Sequence, residues 1–144
     1  ERVRLSSIAE TCWESVETEN AELLTEEDLL FQAGPDRVRR LLENLFRNAV
    51  EYGGEDVLIR VGALSEKNGF YVADDGPGIP DSEREKVFET GFSTGDDGIG
   101  LGLSIVEAVV SAHDWTIRLT EPATGGARFE VEDVVTVSNS QPRP

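Results

Sequence analysis

The chain has 144 residues, 29 acidic and 13 basic, with a formal charge of −16 at pH 7. Nucleic-acid binding needs clustered positive charge to release counterions from phosphates, so this balance excludes that class and argues against direct contact with an anionic membrane. No apolar run of about 18 residues is present to form a transmembrane helix, and no signal-peptide pattern opens the chain.

One domain is expected at this length, with roughly 70% of the unfolded surface buried on folding. The single cysteine, Cys12, has no partner for an internal disulfide and fits a reducing, cytoplasmic interior. Methionine is absent, an initiator included, as expected of a piece of a longer protein. The acidic residues run along the whole chain rather than in a tail. Salt screens the self-repulsion of such a surface, which predicts a halophilic protein whose stability rises with ionic strength.

Residues 3–17 carry Val3, Leu5, Ile8, Ala9, Cys12, Trp13 and Val16 at helical spacing. Residues 21–24 and 28–31 read as short strands flanking an acidic turn. Gly34-Pro35-Asp36 breaks the chain and starts a helix, with Pro35 and Asp36 suited to its first positions. That helix carries Val38, Leu41, Leu42, Leu45 and Ala49 on one face, with Phe46 and Val50 filling in, and Gly53-Gly54 stops it after Tyr52. Alternation then predicts a strand over 57–64, a tight turn at Lys67-Asn68-Gly69 and a strand over 69–74. Asp74-Asp75-Gly76-Pro77-Gly78-Ile79-Pro80 must be an ordered turn. A short helix over 81–88 and a Gly, Ser, Thr and Asp-rich mobile loop over 89–98 follow. Gly98-Ile99-Gly100-Leu101-Gly102-Leu103 leads into an apolar helix ending near His113, and 115–120 pairs with 127–131 as a hairpin. The tail from Thr136 is expected to be disordered. About three helices and six strands in mixed order indicate an α+β fold, a two-layer α/β sandwich with one helical layer over a mixed sheet.

Chemistry is suggested first by the helix after Pro35. Asn44, Asn48 and Glu51 fall in a narrow stripe beside its apolar face. Asparagine competes with its own backbone for hydrogen bonds, so two of them one turn apart in mid-helix cost stability. Either the stripe is a polar seam touching solvent, or it faces a ligand or metal ion. The triplet Gly98, Gly100 and Gly102 precedes a helix, where backbone N–H groups can face an anion. Its spacing is not a dinucleotide fingerprint, and no Lys-Ser or Lys-Thr follows to make a P-loop. Asp75-Gly76-Pro77-Gly78 sets a carboxylate at a strand end, followed by glycines that let a flat ligand approach. A carboxylate only accepts hydrogen bonds and so suits an exocyclic amine. An EF-hand reading fails on spacing.

The order of these motifs resembles the ATP-binding catalytic domain of sensor histidine kinases, in the gyrase, heat-shock chaperone, histidine kinase and MutL ATPase superfamily. Glu43-Asn44-Leu45-Phe46-Arg47-Asn48-Ala49 matches the N box, Asp75-Gly76-Pro77-Gly78 the first glycine box, Phe88 to Phe92 the F box, and Gly98 to Leu103 the second glycine box. Gly125-Gly126-Ala127-Arg128-Phe129 fits the closing glycine-containing strand loosely. The resemblance covers about residues 20–133 and implies the Bergerat ATP-binding fold over 20–135, with 1–19 as a linker helix from a dimerisation domain and 136–144 as a tail. The acidic composition is similar to that of haloarchaeal members.

The resemblance implies ATP and Mg²⁺ as cofactors. Asn48 would ligate the metal and Asn44 would lie near the phosphates, both in catalytic roles. Tyr52, Asp75, Gly76, Gly78, Ile79, Phe92, Gly98, Gly100, Leu101, Gly102 and Leu103 would bind the nucleotide, Asp75 taking the adenine amine and residues 87–98 forming a lid. Relatives that hydrolyse ATP carry a glutamate base one turn before the metal asparagine. Here Asn44 stands there and Glu43 is rotated by 100°, which favours transfer to an incoming nucleophile over hydrolysis. The implied partners are a histidine-bearing dimerisation domain and a response regulator, in a kinase that is a homodimer when whole while this piece is a monomer.

Three departures matter. The lid, 89–97, contains no Lys or Arg, leaving Lys86, Arg47 or Arg40 to meet the γ-phosphate. Glu51 replaces a basic residue of some relatives. His113 is the only histidine and matches a structural position rather than the phosphoacceptor motif, and Asp114 stands where glycine is usual at a helix end. The rival readings are a nucleotide sensor without transfer activity and an anti-sigma-like serine kinase or interaction domain.

Overall fold

The computed structural model describes residues 2–16, 21–53, 56–64, 68–76, 102–120 and 126–136. Three helices form one layer. The central one, α2 (Pro35–Gly53), starts on Pro35 with Asp36 in its first turn, where a negative charge meets the positive end of the helix dipole. Gly34 closes that start, its carbonyl accepting from the N–H groups of Arg37 and Val38 at 3.0 Å each. The stripe expected from the 3.6-residue period is buried: Val38, Leu41, Leu42, Leu45, Phe46 and Ala49. Packed against it are α1 (Leu5–Trp13), which buries Leu5, Ala9 and Cys12, and α3 (Gly102–Ala112), which buries Val106, Val109 and Val110. Trp13 meets Phe46 edge-on at 5.7 Å. Cys12 lies between α1 and α2, its thiol pushed up to about 12 by burial and then by the charge of Glu43.

The second layer is a mixed sheet of five strands in the order β2-β4-β5-β7-β6, comprising β2 (Glu22–Thr25), β4 (Leu58–Ala63), β5 (Gly69–Asp74), β6 (Thr116–Thr120) and β7 (Arg128–Glu132). The β2–β4 pair is parallel, as a crossover through α2 requires, and the other pairs are antiparallel. Register fixes the faces. Leu23 pairs with Ile59, Val61 with Val72, Val72 with Phe129, Phe70 with Val131, and Leu119 with Phe129. All of these belong to the core shared with the helices. The opposite face is polar. Tyr71 donates to Glu26, Arg128 lies 4.1 Å over the Tyr71 ring, and Arg118 bridges Glu130 and Glu132 at 3.8 and 3.4 Å.

The first segment departs from the expected helix over 3–17. Arg2–Arg4 is a strand, β1, paired antiparallel with β3 (Leu30–Gln32), and the helix begins only at Leu5. Val3 is buried in either geometry, so the apolar spacing alone did not separate the two. The two short strands expected over 21–24 and 28–31 are present as Glu22–Thr25 and Leu30–Gln32, and they lie in different sheets, β2 in the large one and β3 in the small one. The strands among the described residues number seven rather than six. Val3, Leu5, Ala9, Cys12 and Val16 are buried in the same cluster as α2 and the sheet. Thr136, expected in a disordered tail, bridges to Phe31, and the Gln32 N–H donates to the Val135 carbonyl at 2.9 Å. The readings over 77–101, the turn at 121–125 and the tail from 137 lie outside the described residues.

α1 is capped from a distance. Its flanking residue Arg4 offers no capping side chain. Instead Asp28 accepts from the Ser6 N–H and hydroxyl at 2.9 Å each, while the Leu29 carbonyl takes the Leu5 N–H at 2.8 Å. Burial disfavours the charged form of Asp28. The backbone bonds from Ser6 and Leu29, with the Ser6 hydroxyl and Arg4, outweigh it and hold the carboxyl below the usual range.

Candidate functional site

α2 carries the two asparagines, and the structure separates them. Asn48 lies two turns after Leu41 on the buried stripe and is only 6% exposed, the sole buried polar side chain among the described residues. Its Nδ2 has no hydrogen-bond partner. A buried, unpaired amide donor costs about 1–3 kcal/mol. A side chain carrying that cost in an otherwise apolar stripe is a candidate for contact with something outside the protein. Asn44 is half-buried and donates to the Arg40 carbonyl at 2.7 Å, one turn back along its own helix. Glu43 turns the other way. It accepts from the Ser15 hydroxyl at 3.1 Å, just after α1, and Arg47 lies 3.9 Å from its other oxygen. Among the γ-phosphate candidates, Arg47 is thus paired with Glu43, Arg40 is exposed, and Lys86 lies outside the described residues.

The two adjacent carboxylates at the end of β5 fall on opposite faces. Asp74 pairs with Ile59 and follows Phe70 and Val72 on the side that faces the helices. Its Oδ1 accepts from Gly76 N at 2.9 Å and Ala127 N at 3.4 Å. Burial pushes its carboxyl up. The Gly76 and Ala127 N–H groups work against this, and neighbouring Asp75 adds to it. Asp75 is exposed, and its Oδ1 accepts from the Leu58 N–H at 2.9 Å, closing the end of β4. The expected ligand carboxylate, Asp75, is therefore tied to the sheet backbone, and Asp74 is the one directed into the layer where α2 packs on β5. Gly76 follows as a bend, donating to Asp74. The signal for Asp74 was present in the sequence as the two-residue alternation Phe70, Val72, Asp74.

Gly102 is the first residue of α3, so the second glycine box does run into a helix. Gly78, Ile79, Phe92, Gly98, Gly100 and Leu101 lie outside the described residues. So do the side chains of Tyr52 and Glu51 in the last turn of α2, and that of Leu103 in the first turn of α3.

Past the end of α3, His113 is held by both nitrogens. Its Nε2 accepts from Gly34 N at 3.1 Å, so its Nδ1 carries the proton and donates to the Val109 carbonyl at 2.9 Å. The ring stacks on Trp115 at 4.2 Å. Neither nitrogen is free to take a phosphoryl group. Asp114 has φ 61, the left-handed conformation expected of a residue standing in for glycine.

A family model described as histidine kinase-, DNA gyrase B-, and HSP90-like ATPase matches residues 33–135, from just before α2 to just past β7. The chain belongs to this ATPase family. It is 36% identical over 104 residues to the adaptive-response sensory kinase SasA of Nostoc, covering 67% of the chain and 26% of that protein. It is 35% identical over 114 residues to the sensor histidine kinase ZraS of Escherichia coli O157:H7, covering 78% of the chain and 25% of that protein. The domain thus spans about a quarter of the length of these relatives. Among solved structures, the catalytic domain of the histidine kinase ThkA superposes with a TM-score of 0.72 at 27% identity, covering 92% of this chain and 94% of that one. The ATP-binding domain of PrrB from Mycobacterium tuberculosis superposes with a TM-score of 0.69 at 25% identity, covering 95% and 98%. The α+β sandwich described above is the fold of these ATP-binding catalytic domains.

Proposed function

We propose that this domain binds Mg·ATP between α2 and β5 and transfers the γ-phosphate to a histidine on a dimerisation domain of the same kinase, for relay to a response regulator. The observation that carries the reading is Asn48, a buried amide whose Nδ2 is left without a hydrogen-bond partner in the apolar stripe of α2. It fits a hard cation. A half-turn about its last side-chain bond places Oδ1 where Nδ2 stands, and a neutral oxygen ligates without adding negative charge beside a polyphosphate. Mg²⁺ is content with one or two protein oxygens beside water and phosphate, consistent with the described residues offering no group of three His, Cys, Asp or Glu. When bound, the ion would offset phosphate charge.

The remaining roles belong to the chain. Asp74, with Oδ1 occupied by two backbone N–H groups, has its second oxygen left to accept from an exocyclic amine. Asn44, where a hydrolase would carry its base, offers no group to deprotonate water, and Glu43 is held towards α1. A site without such a base suits attack on the γ-phosphorus by a histidine nitrogen, with the bond to the β–γ bridging oxygen breaking and ADP leaving. Gly78, Ile79, Phe92, Gly98, Gly100, Leu101 and Tyr52 complete the nucleotide site in this reading.

The test is Asn48→Ala, with nucleotide affinity measured with and without Mg²⁺. Wild type should bind an ATP analogue more tightly with the ion, and the variant should lose most of that gain. An equal response to Mg²⁺ in both proteins would remove Asn48 from the metal.

A further inference from the structure

A glycine in the bend that opens β7 touches the site from 52 residues away in sequence. Gly126 has φ +90, and a Cβ added there would lie 1.9 Å from the Asp74 carbonyl oxygen and 3.2 Å from its Oδ1. No side chain fits that approach, and an L-residue would be strained at that φ as well. The contact brings the next residue into place. The Asp74 N–H donates to the Ala127 carbonyl at 2.9 Å, and the Ala127 N–H reaches Asp74 Oδ1 at 3.4 Å.

We propose that Gly126 and the Ala127 N–H are positioning residues for the nucleotide site: the close approach of Gly126 holds the start of β7 against the end of β5, so that Ala127, with Gly76, clamps one oxygen of Asp74 and turns the other towards the ligand. The inference rests on the proposed nucleotide site. It assigns the closing glycine-containing strand a part in binding without any side chain of its own. The clamp also acts on charge. Burial raises the Asp74 carboxyl and like-charged Asp75 adds to it, whereas the two N–H groups favour the ionised form that an amine donor needs.

The test follows the Asp74 carboxyl carbon by NMR through the acid range in the ligand-free chain, with binding of an ATP analogue measured over the same range. In Gly126→Ala the carboxyl should titrate at higher pH than in wild type, the acid limb of binding should move up with it, and neutral-pH affinity should fall about three- to tenfold. A folded variant in which neither profile moves overturns the proposal. A moved titration with unmoved binding supports the clamp and overturns the reading that Asp74 meets the nucleotide. Should Gly126→Ala not fold, wild type decides: the Ala127 amide proton should shift with the Asp74 midpoint, and an amide indifferent to that titration overturns the clamp.

Discussion

Replacing Asp74 by asparagine separates what the residue does for binding from what it does for stability. Asn keeps the oxygen that accepts from Gly76 and Ala127, at 2.9 and 3.4 Å, so the bend itself should survive. The other oxygen becomes an NH₂ group, a donor facing the donor of an exocyclic amine. Loss of a charge-assisted hydrogen bond of about 1.5–3 kcal/mol corresponds to a roughly 10- to 150-fold weaker Kd. Stability should move the other way. The folded state raises the Asp74 carboxyl, chiefly through burial, so its stabilising contribution is full below the unfolded value near ~3.9 and is lost as pH rises through the folded value. At neutral pH the ionised carboxylate is therefore a cost, and Asp74→Asn should melt no lower than wild type while losing the gain that wild type shows on acidification. Calorimetric titration with an ATP analogue and thermal melts across the acid range measure both. Asp75→Asn, whose oxygen still accepts from Leu58 N, should bind within about twofold of wild type, well inside the worth of one hydrogen bond. Loss of binding in Asp75→Asn with retention in Asp74→Asn would refute the assignment of faces.

Three further outcomes are expected. Asp114→Gly relieves the left-handed backbone at φ 61 and should raise stability by about 0.5–1 kcal/mol in denaturant melts. Asp28→Ala removes the cap of α1 and should cost about 1 kcal/mol at neutral pH. Because the Asp28 carboxyl is lowered on folding, its contribution is present above the unfolded value near ~3.9 and disappears as pH falls through the folded value, where variant and wild type should converge. With a formal charge of −16, the melting temperature should rise steeply from low to molar salt, and a flat response would remove the halophilic reading.

The parts of the fold that were legible are those whose pattern is local. The stripe from Val38 to Ala49, bounded by Pro35 and Gly53, carries both period and ends, and α2 occupies 35–53. The β6–β7 hairpin was legible because its strands are near neighbours in sequence. What escaped depended on distant partners. Arg2–Arg4 becomes a strand only because Leu30–Gln32 lies beside it, and Glu22–Thr25 finds its partner in Leu58–Ala63, a parallel edge reached across α2. At the candidate site, Asn48 was visible as a costly amide in mid-helix, but its burial was not, since that requires knowing what packs over the stripe. Choosing between Asp74 and Asp75 needed the alternation to be carried to the end of β5. The clamp by Gly126 and Ala127 has no local signature, because it exists only once β5 and β7 pair.

The central claim is phosphotransfer to histidine, and labelled phosphate tests it most directly. The domain is mixed with a histidine-bearing dimerisation domain of a sensor kinase and Mg·ATP labelled at the γ-position, and the chemical stability of any protein-bound label is measured. Acid-labile label on the acceptor histidine, lost when Asn48→Ala replaces wild type, is the result expected. Acid-stable label would point to serine, and intact nucleotide binding with no label on the acceptor would contradict the kinase reading in favour of a nucleotide sensor.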